Sequence, residues 1–326
     1  MLQHFESIIE YASLAPSDHN TQPWKFQIEG HYIKLLPDFT RRLPVVDADD
    51  HGLFISLGCA LENLVIAASH YGYNCNVMYD LKGLNPSILV HLFEDPETKE
   101  DPLYYSIPDR HVSRAEYNGE ALSPEITQKL VHSVHADDPI QLTFITGPEI
   151  KKQITQLTRE ASKRHFENPA FKKELADWIR FNDETAEEHK DGLRAVSIGT
   201  PALMPALGRF FFETFVSANS TAGKTETMVE SSPLLVVFSV KESNPEHWVK
   251  LGRNFERFAL MATRYKVNHS HISMACEIEE TRKKMKALLL LEAEPLLVIR
   301  VGYAQEELPV SYRRPVEDLI AESFQI

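Results

Sequence analysis

The first residues of the chain predict a short amphipathic helix, since apolar positions recur there at the spacing of one helix face. That face is formed by Leu2, Phe5, Ile8, Ile9 and Ala12. Pro16 should end the helix, because the proline ring disfavours the helical conformation of the preceding residue. A strand is predicted next, over residues 24–36.

Two long segments share a second pattern. Residues 53–71 are apolar on nearly every side, which predicts a helix that is buried on most of its faces. Residues 248–265 predict another long helix, and both segments end in a tyrosine. Gly58-x-x-x-Glu62 in the first segment is echoed by Gly252-x-x-x-Glu256 in the second. Small residues such as Gly58 would let another helix approach closely.

The remaining elements repeat the order helix, strands, long buried helix. Further strands are predicted at 75–79, 87–93, 140–146, 234–240 and 296–301, and further helices at 123–134, 148–166, 169–190 and 277–291. The stretch 192–232 is less regular. The repeated order predicts an α+β protein built from two unequal halves, residues 1–105 and 106–326.

Composition restricts the class of protein. With 43% hydrophobic and 25% charged residues the chain should be globular. Its net charge of −13 argues against a nucleic-acid partner, which requires clustered positive charge. We find no run of 18 apolar residues and no signal peptide, which predicts no membrane partner and a cytoplasmic location. Three cysteines without a CxxC motif are too few for a disulfide framework.

The stretch that follows the first helix carries the most specific chemistry. Ser17 and Asn20 place a hydroxyl and a carboxamide on a turn beside free backbone N–H groups, which suits a polar, planar, partly anionic ligand. The alternative is an ordinary turn that launches the next strand, because Ser and Asn are common turn residues. Residues 15–24 read Ala-Pro-Ser-x-x-Asn-x-Gln-Pro-Trp and resemble the signature of the FMN-dependent nitroreductase family at all seven specified positions.

This resemblance has implications for the fold and the site. In the family, the Ser and Asn lie against the flavin and reach it from the neighbouring subunit. Two fused nitroreductase-like halves, with mixed and mainly antiparallel sheets flanked by helices, would therefore form an intramolecular pseudo-dimer that could function as a monomer. The first half would supply Pro16, Ser17 and Asn20. The subfamily that the chain resembles most is the single-chain, twin-domain Acg type.

The second half contains the basic residues that the family uses. Arg110 and Arg114 match the arginines of its R-x-S-x-R motif, although Ser113 stands one place late. By resemblance, Arg110 and one residue of the pair Arg313-Arg314 would bind the flavin phosphate, and Arg114 would face the N1/O2 edge of the ring. The basic motif is missing from the first half.

Two further places follow from the same resemblance. The loop 273–276 would offer backbone N–H groups to flavin N5, with Ala275 and Cys276 nearest to it, although the family commonly has Glu where Ala275 stands. Residues 132–139 occupy the place in the second half where Ser and Asn would be needed, and they lack both. One complete and one decayed site predict about one FMN per chain.

The implied function is transfer of hydride from NADH or NADPH through FMN to a small-molecule acceptor, a nitroaromatic or a quinone by resemblance. The flavin would do the chemistry, so no catalytic acid–base side chain is expected. One alternative is a protein that stores FMN without turnover, covered by residues 39–51 or 192–232. A second alternative is a specialised family member that fragments flavin or dehydrogenates a peptide.

Two weaker signals are set aside. Residues 218–225 approach a P-loop, but Ala218 stands where the first glycine is required. His269 and His271 could bind a metal, but they lack nearby carboxylate or thiol ligands and should be surface residues. No metal is predicted.

Overall fold

Two four-stranded antiparallel sheets form the framework of the molecule. The computed structural model describes residues 4–198 and 201–321, except for the side chains of residues 219–222. The strands are β1 Trp24–Glu29, β2 Tyr32–Pro37, β3 Tyr73–Asp80, β4 Ser87–Glu94, β5 Ile140–Ile145, β6 Ile179–Arg180, β7 Leu193–Arg194, β8 Leu234–Val240, β9 Asn268–His271 and β10 Glu294–Gly302.

The two sheets share one topology. The first has the strand order β1-β2-β4-β3 and the second the order β5-β8-β10-β9, so each runs first, second, fourth, third. The short strands β6 and β7 pair in parallel outside both sheets. The expected α+β fold of two related halves is confirmed, and each main sheet is wholly antiparallel rather than mixed.

Helices cover the sheets and connect the halves. They are α1 Phe5–Ser13, α2 His51–His70, α3 Pro124–Val131, α4 Pro148–Glu167, α5 Pro169–Asp177, α6 Asp183–His189, α7 Pro205–Phe215, α8 Ala218–Glu230, α9 Pro245–Arg264, α10 Met274–Glu277 and α11 Glu279–Leu288. In each half the long helix, α2 or α9, follows the second strand of the sheet. The halves differ between their first two strands, where the second half inserts α4 to α8.

The long helices α2 and α9 cross at two glycines. A Cβ atom on Gly58 would lie 2.0 Å from the Val249 carbonyl oxygen, and one on Gly252 would lie 1.9 Å from the Ile55 carbonyl oxygen. Any larger residue would force the helices apart, so the repeated glycine is a packing requirement. The crossing buries the α2 helix on most sides, as its sequence predicts.

The C-terminal tail returns to the sheet of the first half. The Phe26 N–H donates to the Leu319 carbonyl and the Ala321 N–H donates to the Phe26 carbonyl, each at 2.8 Å. The tail therefore runs alongside β1 as a short parallel partner. The domain boundary near residue 105 lies in the 3-10 helix Pro102–Ser106 and stays a prediction.

Several predicted elements were wrong in their extent. Residues 24–36 form a hairpin, because Gly30 adopts a φ of 53° and turns the chain after β1. Residues 169–190 are split into α5 and α6 by β6, and residues 277–291 are divided by the break between α10 and α11. The stretch 192–232, expected to be less regular, contains α7 and α8.

One helix, α2, is long and apolar enough to cross a membrane, but 89% of its most apolar window is buried inside the protein. A core helix of a globular protein has the same composition, so this helix is only weak support for a membrane span.

Candidate functional site

The turn after α1 is held in an unusual backbone conformation. His19, Asn20 and Gln22 have φ values of 50°, 55° and 52°, a left-handed region that non-glycine residues rarely adopt. The Ser17 hydroxyl accepts a hydrogen bond from the Gln22 N–H at 2.8 Å and stabilises this turn. Strain of this kind persists where surrounding structure enforces it, and it often marks a functional site.

Asn20 connects three distant parts of the chain. Its Nδ2 donates to the carbonyls of Gly192 and Tyr312, each at 3.1 Å, and its Oδ1 accepts from Arg313 Nη1 at 3.0 Å. The predicted residue of the first half thus meets the predicted arginine of the tail. These contacts make Asn20 an anchor for the tail and for the chain at Gly192.

Arg110 also joins the two halves. Its Nη2 donates to the Leu14 carbonyl at 2.5 Å, and its Nε lies 3.3 Å from Glu256 Oε1. Arg313 reaches the same Leu14 carbonyl at 3.3 Å. Two guanidinium groups from the second half therefore converge on the last turn before Pro16.

Arg114 carries a buried charge with little compensation. Burial, and then the charge of Arg300, lower the pKa of Arg114 to about 10. In the described part of the chain it has no hydrogen-bond or ion-pair partner. Burial and the charge of Arg114 also lower the pKa of Lys224, whose Nζ donates to the Ile198 carbonyl at 2.7 Å. Lys224 was missed as a candidate because its only sequence signal was the discounted P-loop-like stretch.

The region contains more positive than negative charge. Burial, and then the charge of Arg110, lower the pKa of Arg313 to about 9. The nearby acid is Glu256, and burial raises its pKa to about 7 although Arg110 lowers it. Buried polar atoms without a hydrogen-bond partner in this region include Ser113 Oγ, Arg313 Nε, Arg300 Nε, Arg300 Nη1 and both carboxylate oxygens of Glu256, while Arg110 Nε has only its 3.3 Å ion pair with Glu256. Such orphaned donors around uncompensated cations fit an anionic group.

A cleft lies beside this cluster, between the strained turn and the loop after β9. It encloses about 450 Å³ of empty space, including solvent at its mouth, and its lining includes Pro16, Ser17, His271 and Ser273. Ala275 and Cys276 are fully buried close to that loop and do not line the cleft. The predicted turn and the predicted loop are thus brought to the same cavity from opposite halves.

The predicted arginines are not all in one place. The Arg314 N–H donates to Gln22 Oε1 at 2.8 Å, which ties the tail to the strained turn. Its guanidinium donates to the Asp318 carbonyl at 3.1 Å, and its charged neighbours include Arg41 and Asp191. Arg314 therefore lies apart from the cluster of Arg110 and Arg313.

Two histidines expected at the surface are inside the protein. His269 is 1% exposed in β9, and His271 lines the cleft. Burial, followed by the charges of Arg114 and Arg110, lowers the pKa of His271 to about 3, so its imidazole is neutral. The surface prediction was wrong because the strand β9 was not recognised in a sequence rich in polar residues.

A group of acidic residues at the start of α2 was missed entirely. His51 Nδ1 lies 3.1 Å from Asp47 Oδ1 and 2.5 Å from Asp49 Oδ1, and these atoms are close enough to hold a metal ion. Asp47 also accepts the N–H groups of Gly52 and Leu53, each at 2.9 Å. These side chains contact one another and accept the N–H groups at the start of α2, so we assign no metal to them.

The repeated Gly-x-x-x-Glu pattern defines a second position in the other half, and ion pairs fill it. Glu62, the counterpart of Glu256, is fully buried and contacts Arg253 Nε at 2.7 Å and Arg257 Nη1 at 2.9 Å. His135, from the stretch predicted to be a decayed site, lies 3.3 Å from Glu62. Side chains of the protein thus occupy this second position.

Comparison with known proteins gives relatives of nearly equal length. No family model matches the sequence. The chain is 21% identical to NAD(P)H nitroreductase Acg of Mycobacterium tuberculosis, over 96% of this chain and 94% of that protein. It is 22% identical to NAD(P)H nitroreductase PigM of a Serratia species, over 95% and 91% of the two chains. The full names of both relatives state that their nitroreductase activity is inferred.

Solved structures with related folds include two reductases. NADPH:FMN oxidoreductase from Vibrio harveyi, complexed with NAD+, matches with a TM-score of 0.43 and 12% identity, over 69% of this chain and 79% of that one. The nitroreductase NfnB from Mycobacterium smegmatis, in complex with NADPH, matches with a TM-score of 0.40 and 11% identity, over 61% and 86%.

Proposed function

Because this chain is a relative of the Acg-type NAD(P)H nitroreductases along nearly its whole length, we propose that it is an FMN-binding oxidoreductase with one flavin site shared by its two halves. NADH or NADPH is the hydride donor and a small molecule is the acceptor. When bound, the flavin supplies the hydride chemistry. The protein supplies binding, orientation and charge.

One observation supports this proposal: residues that the family signature specifies in different halves contact one another close to Pro16 and Ser17, which line the cleft. Asn20 from the first half contacts Arg313 from the tail, and Arg110 contacts the chain just before Pro16. Orphaned guanidinium nitrogens next to the cleft suit a phosphate, which guanidinium groups bind in a planar fork.

Within this proposal, the residues have different tasks. Arg110 and Arg313 bind the phosphate of the ligand, and Arg114, with Lys224 beside it, meets the anionic edge of its ring. Ser17 and the loop at Ser273 lie on the cleft, where a planar ring would be held between the two halves. Asn20 and Arg314 fix the tail, which closes the site.

The acceptor is proposed to be a nitroaromatic, by analogy with the activity in the relatives' names, or a quinone, which the family resemblance implies. Both classes are planar and would fit the cleft that Ser17 and Ser273 line. The protein is proposed to act in the cytoplasm and to need no second subunit, since both contributions to the site come from one chain.

The test is to load the protein with FMN and to mix it anaerobically with NADH and with NADPH while recording the flavin absorbance. Bleaching within seconds, followed by recovery on addition of a quinone, is the expected result. A flavin that stays oxidised with both nucleotides but is reduced by dithionite would replace this proposal with a storage protein. Failure to bind FMN would contradict both.

A further inference from the structure

Asp18 occupies a distinctive position at the cleft. Its carboxyl group packs on the first turn of α2, where a Cβ atom on Gly52 would lie 2.1 Å from Asp18 Oδ2. Only glycine leaves room for that approach. Asp18 is one of the residues that line the cleft, and part of its surface is exposed to solvent.

The groups around Asp18 disfavour its negative charge. Burial, followed by the charges of Asp47 and Glu277, raises the pKa of Asp18 to about 7, and His51 alone opposes this rise. The Cys59 thiol also faces this region, and burial raises its pKa well above the usual range, so it contributes no charge. Asp47 oxygens accept backbone N–H groups of Gly52 and Leu53, which leaves Asp18 as the carboxyl group that can hold the proton.

His51 stands between Asp18 and the loop before α2. Burial lowers its pKa, but the hydrogen bond to Asp49 and the charges of Asp47 and Asp18 outweigh that effect and raise it. Asp49 is exposed to solvent, and its hydrogen bond with His51 lowers the pKa of Asp49 to about 2. The imidazole therefore connects a solvent-exposed carboxylate to the cleft.

We propose that Asp18 is a proton donor to the small molecule that binds in this cleft, and that His51 and Asp49 connect it to solvent. The inference rests on the proposed function, and it departs from the expectation that no side chain acts as an acid. A quinone that takes one hydride has gained two electrons and one proton. One of its oxygens must then form a new O–H bond.

The proton balance is simple. The Asp18 O–H bond breaks, an O–H bond forms on the acceptor, and Asp18 is left as a carboxylate. Water then returns one proton through His51. Positioned general acids contribute about 10²–10⁴-fold to rates, so the effect should be measurable.

The experiment compares two acceptors that differ in their need for protons. The FMN-loaded protein is reduced with dithionite, and its reoxidation by menadione and by ferricyanide is followed by stopped flow from pH 5.5 to 8.5. Ferricyanide takes electrons without a proton. Asp18→Asn should slow reoxidation by menadione at least tenfold, leave ferricyanide unchanged, and abolish the decline of the menadione rate above about pH 7. Asp80→Asn, at an exposed position outside the cleft lining, is the matched control.

Equal menadione rates and equal pH profiles for the wild type and Asp18→Asn would overturn the inference. If Asp18→Asn does not retain FMN, two other measurements test the role of Asp18. Reoxidation of the wild type by menadione, but not by ferricyanide, should be slower in D2O. The flavin-free wild type should show the infrared carbonyl band of a protonated carboxyl group that titrates near pH 7 and that is missing from flavin-free Asp18→Asn, because the pKa of Glu256 is also about 7. Absence of either signal would refute the role of Asp18. Because dithionite replaces the nucleotide, failure of the proposed NAD(P)H reaction is detected separately.

Discussion

At the site, Arg114 and Glu256 lie where desolvation disfavours their charged forms. Arg114 is half-buried and has no anionic partner in the described residues, and desolvation, followed by the charge of Arg300, lowers its pKa. Glu256 is fully buried, and burial raises its pKa. Unfavourable charges of this kind cost stability and are typical of functional sites rather than of packing. A bound anion would offset the cost at Arg114.

Replacing Arg114 with alanine tests this interpretation. Arg114→Ala should weaken FMN binding by about 10- to 100-fold, from the loss of a charged hydrogen bond of about 1.5–3 kcal/mol. The flavin-free variant should be as stable as the wild type or more stable, because an uncompensated charge is removed. Fluorescence titration with FMN and urea denaturation measure the two effects.

Arg110→Ala is the informative comparison, because Arg110 pairs with Glu256 and also holds the Leu14 carbonyl. This variant should lose stability as well as flavin affinity. If Arg114→Ala lowers stability as much as Arg110→Ala does while FMN affinity stays the same, Arg114 has a structural role and the anion assignment is wrong.

At the scale of elements, the crossing of α2 and α9 organises the molecule. Gly58 of α2 and Gly252 of α9 meet at the crossing, and a buried glutamate follows each of them four residues later. Glu62 is neutralised by Arg253 and Arg257, and these pairs outweigh burial and lower its pKa. Of the two equivalent glutamates, Glu62 is therefore a paired carboxylate, whereas burial favours the protonated form of Glu256.

Glycine at the crossing should be indispensable. Gly58→Ala should destabilise the protein by about 1–3 kcal/mol, as overpacking does, because the new methyl group would meet the Val249 carbonyl. Gly223→Ala in α8 is the control: nothing lies within 4 Å of the Cβ atom that alanine would add there, and the substitution should stabilise the helix by about 0.5–1 kcal/mol. Thermal unfolding measures both, and equal effects would contradict the close approach of the helices.

The two glutamates should show opposite pH dependence. The native pKa of Glu62 is below its unfolded value, so its stabilisation is present above about pH 4.5 and is lost as the pH falls. The native pKa of Glu256 is raised to about 7, so its contribution is favourable below pH 4.5 and is lost as the pH rises through 7.

Glu62→Gln should therefore cost about 3–5 kcal/mol at pH 7, the usual effect of breaking a buried ion pair, and nearly as much at pH 4, because the native pKa of Glu62 lies well below that pH. Glu256→Gln should cost less than Glu62→Gln at pH 7, because its carboxyl group already holds a proton part of the time. Urea denaturation of both variants from pH 4 to pH 8 gives the comparison. Parallel pH profiles would show that the two positions are alike.

At the scale of the whole molecule, the two halves supply different parts of one cavity. The turn with Pro16 and Ser17 comes from the first half, and His271 and Ser273 come from the second half. The arginines of the second half do not line the cavity, but Arg110 contacts the Leu14 carbonyl just before the turn. The tail crosses to β1 and connects both through Asn20. The related position at Glu62 is closed by its own ion pairs.

This asymmetry predicts the flavin content. The protein should bind close to one FMN per chain, because the second position has arginines and His135 where a ligand would lie. Flavin released by denaturation and measured by absorbance against protein concentration gives the ratio. A value of two per chain would contradict the shared single site.

The sequence by itself determined the class of fold and the motif that carries the family resemblance. Local physics is enough for these features: apolar spacing predicts α1 and α2, and the repeated Gly-x-x-x-Glu marks the two crossing helices. It also carries a specific resemblance to the nitroreductase family, because seven fixed residues lie within ten positions. It failed over residues 192–232, where α7 and α8 carry weak periodic signals next to one another.

Only the tertiary structure decided which charged residues meet. Asn20 and Arg313 are almost three hundred positions apart, and Lys224 approaches Arg114 only through the placement of α8. In the sequence Asp18 is an ordinary turn residue. In the fold, its carboxyl group packs against the α2 backbone at Gly52. Charge and burial depend on neighbours that are distant in sequence, so pKa values and the composition of a site are properties of the folded chain.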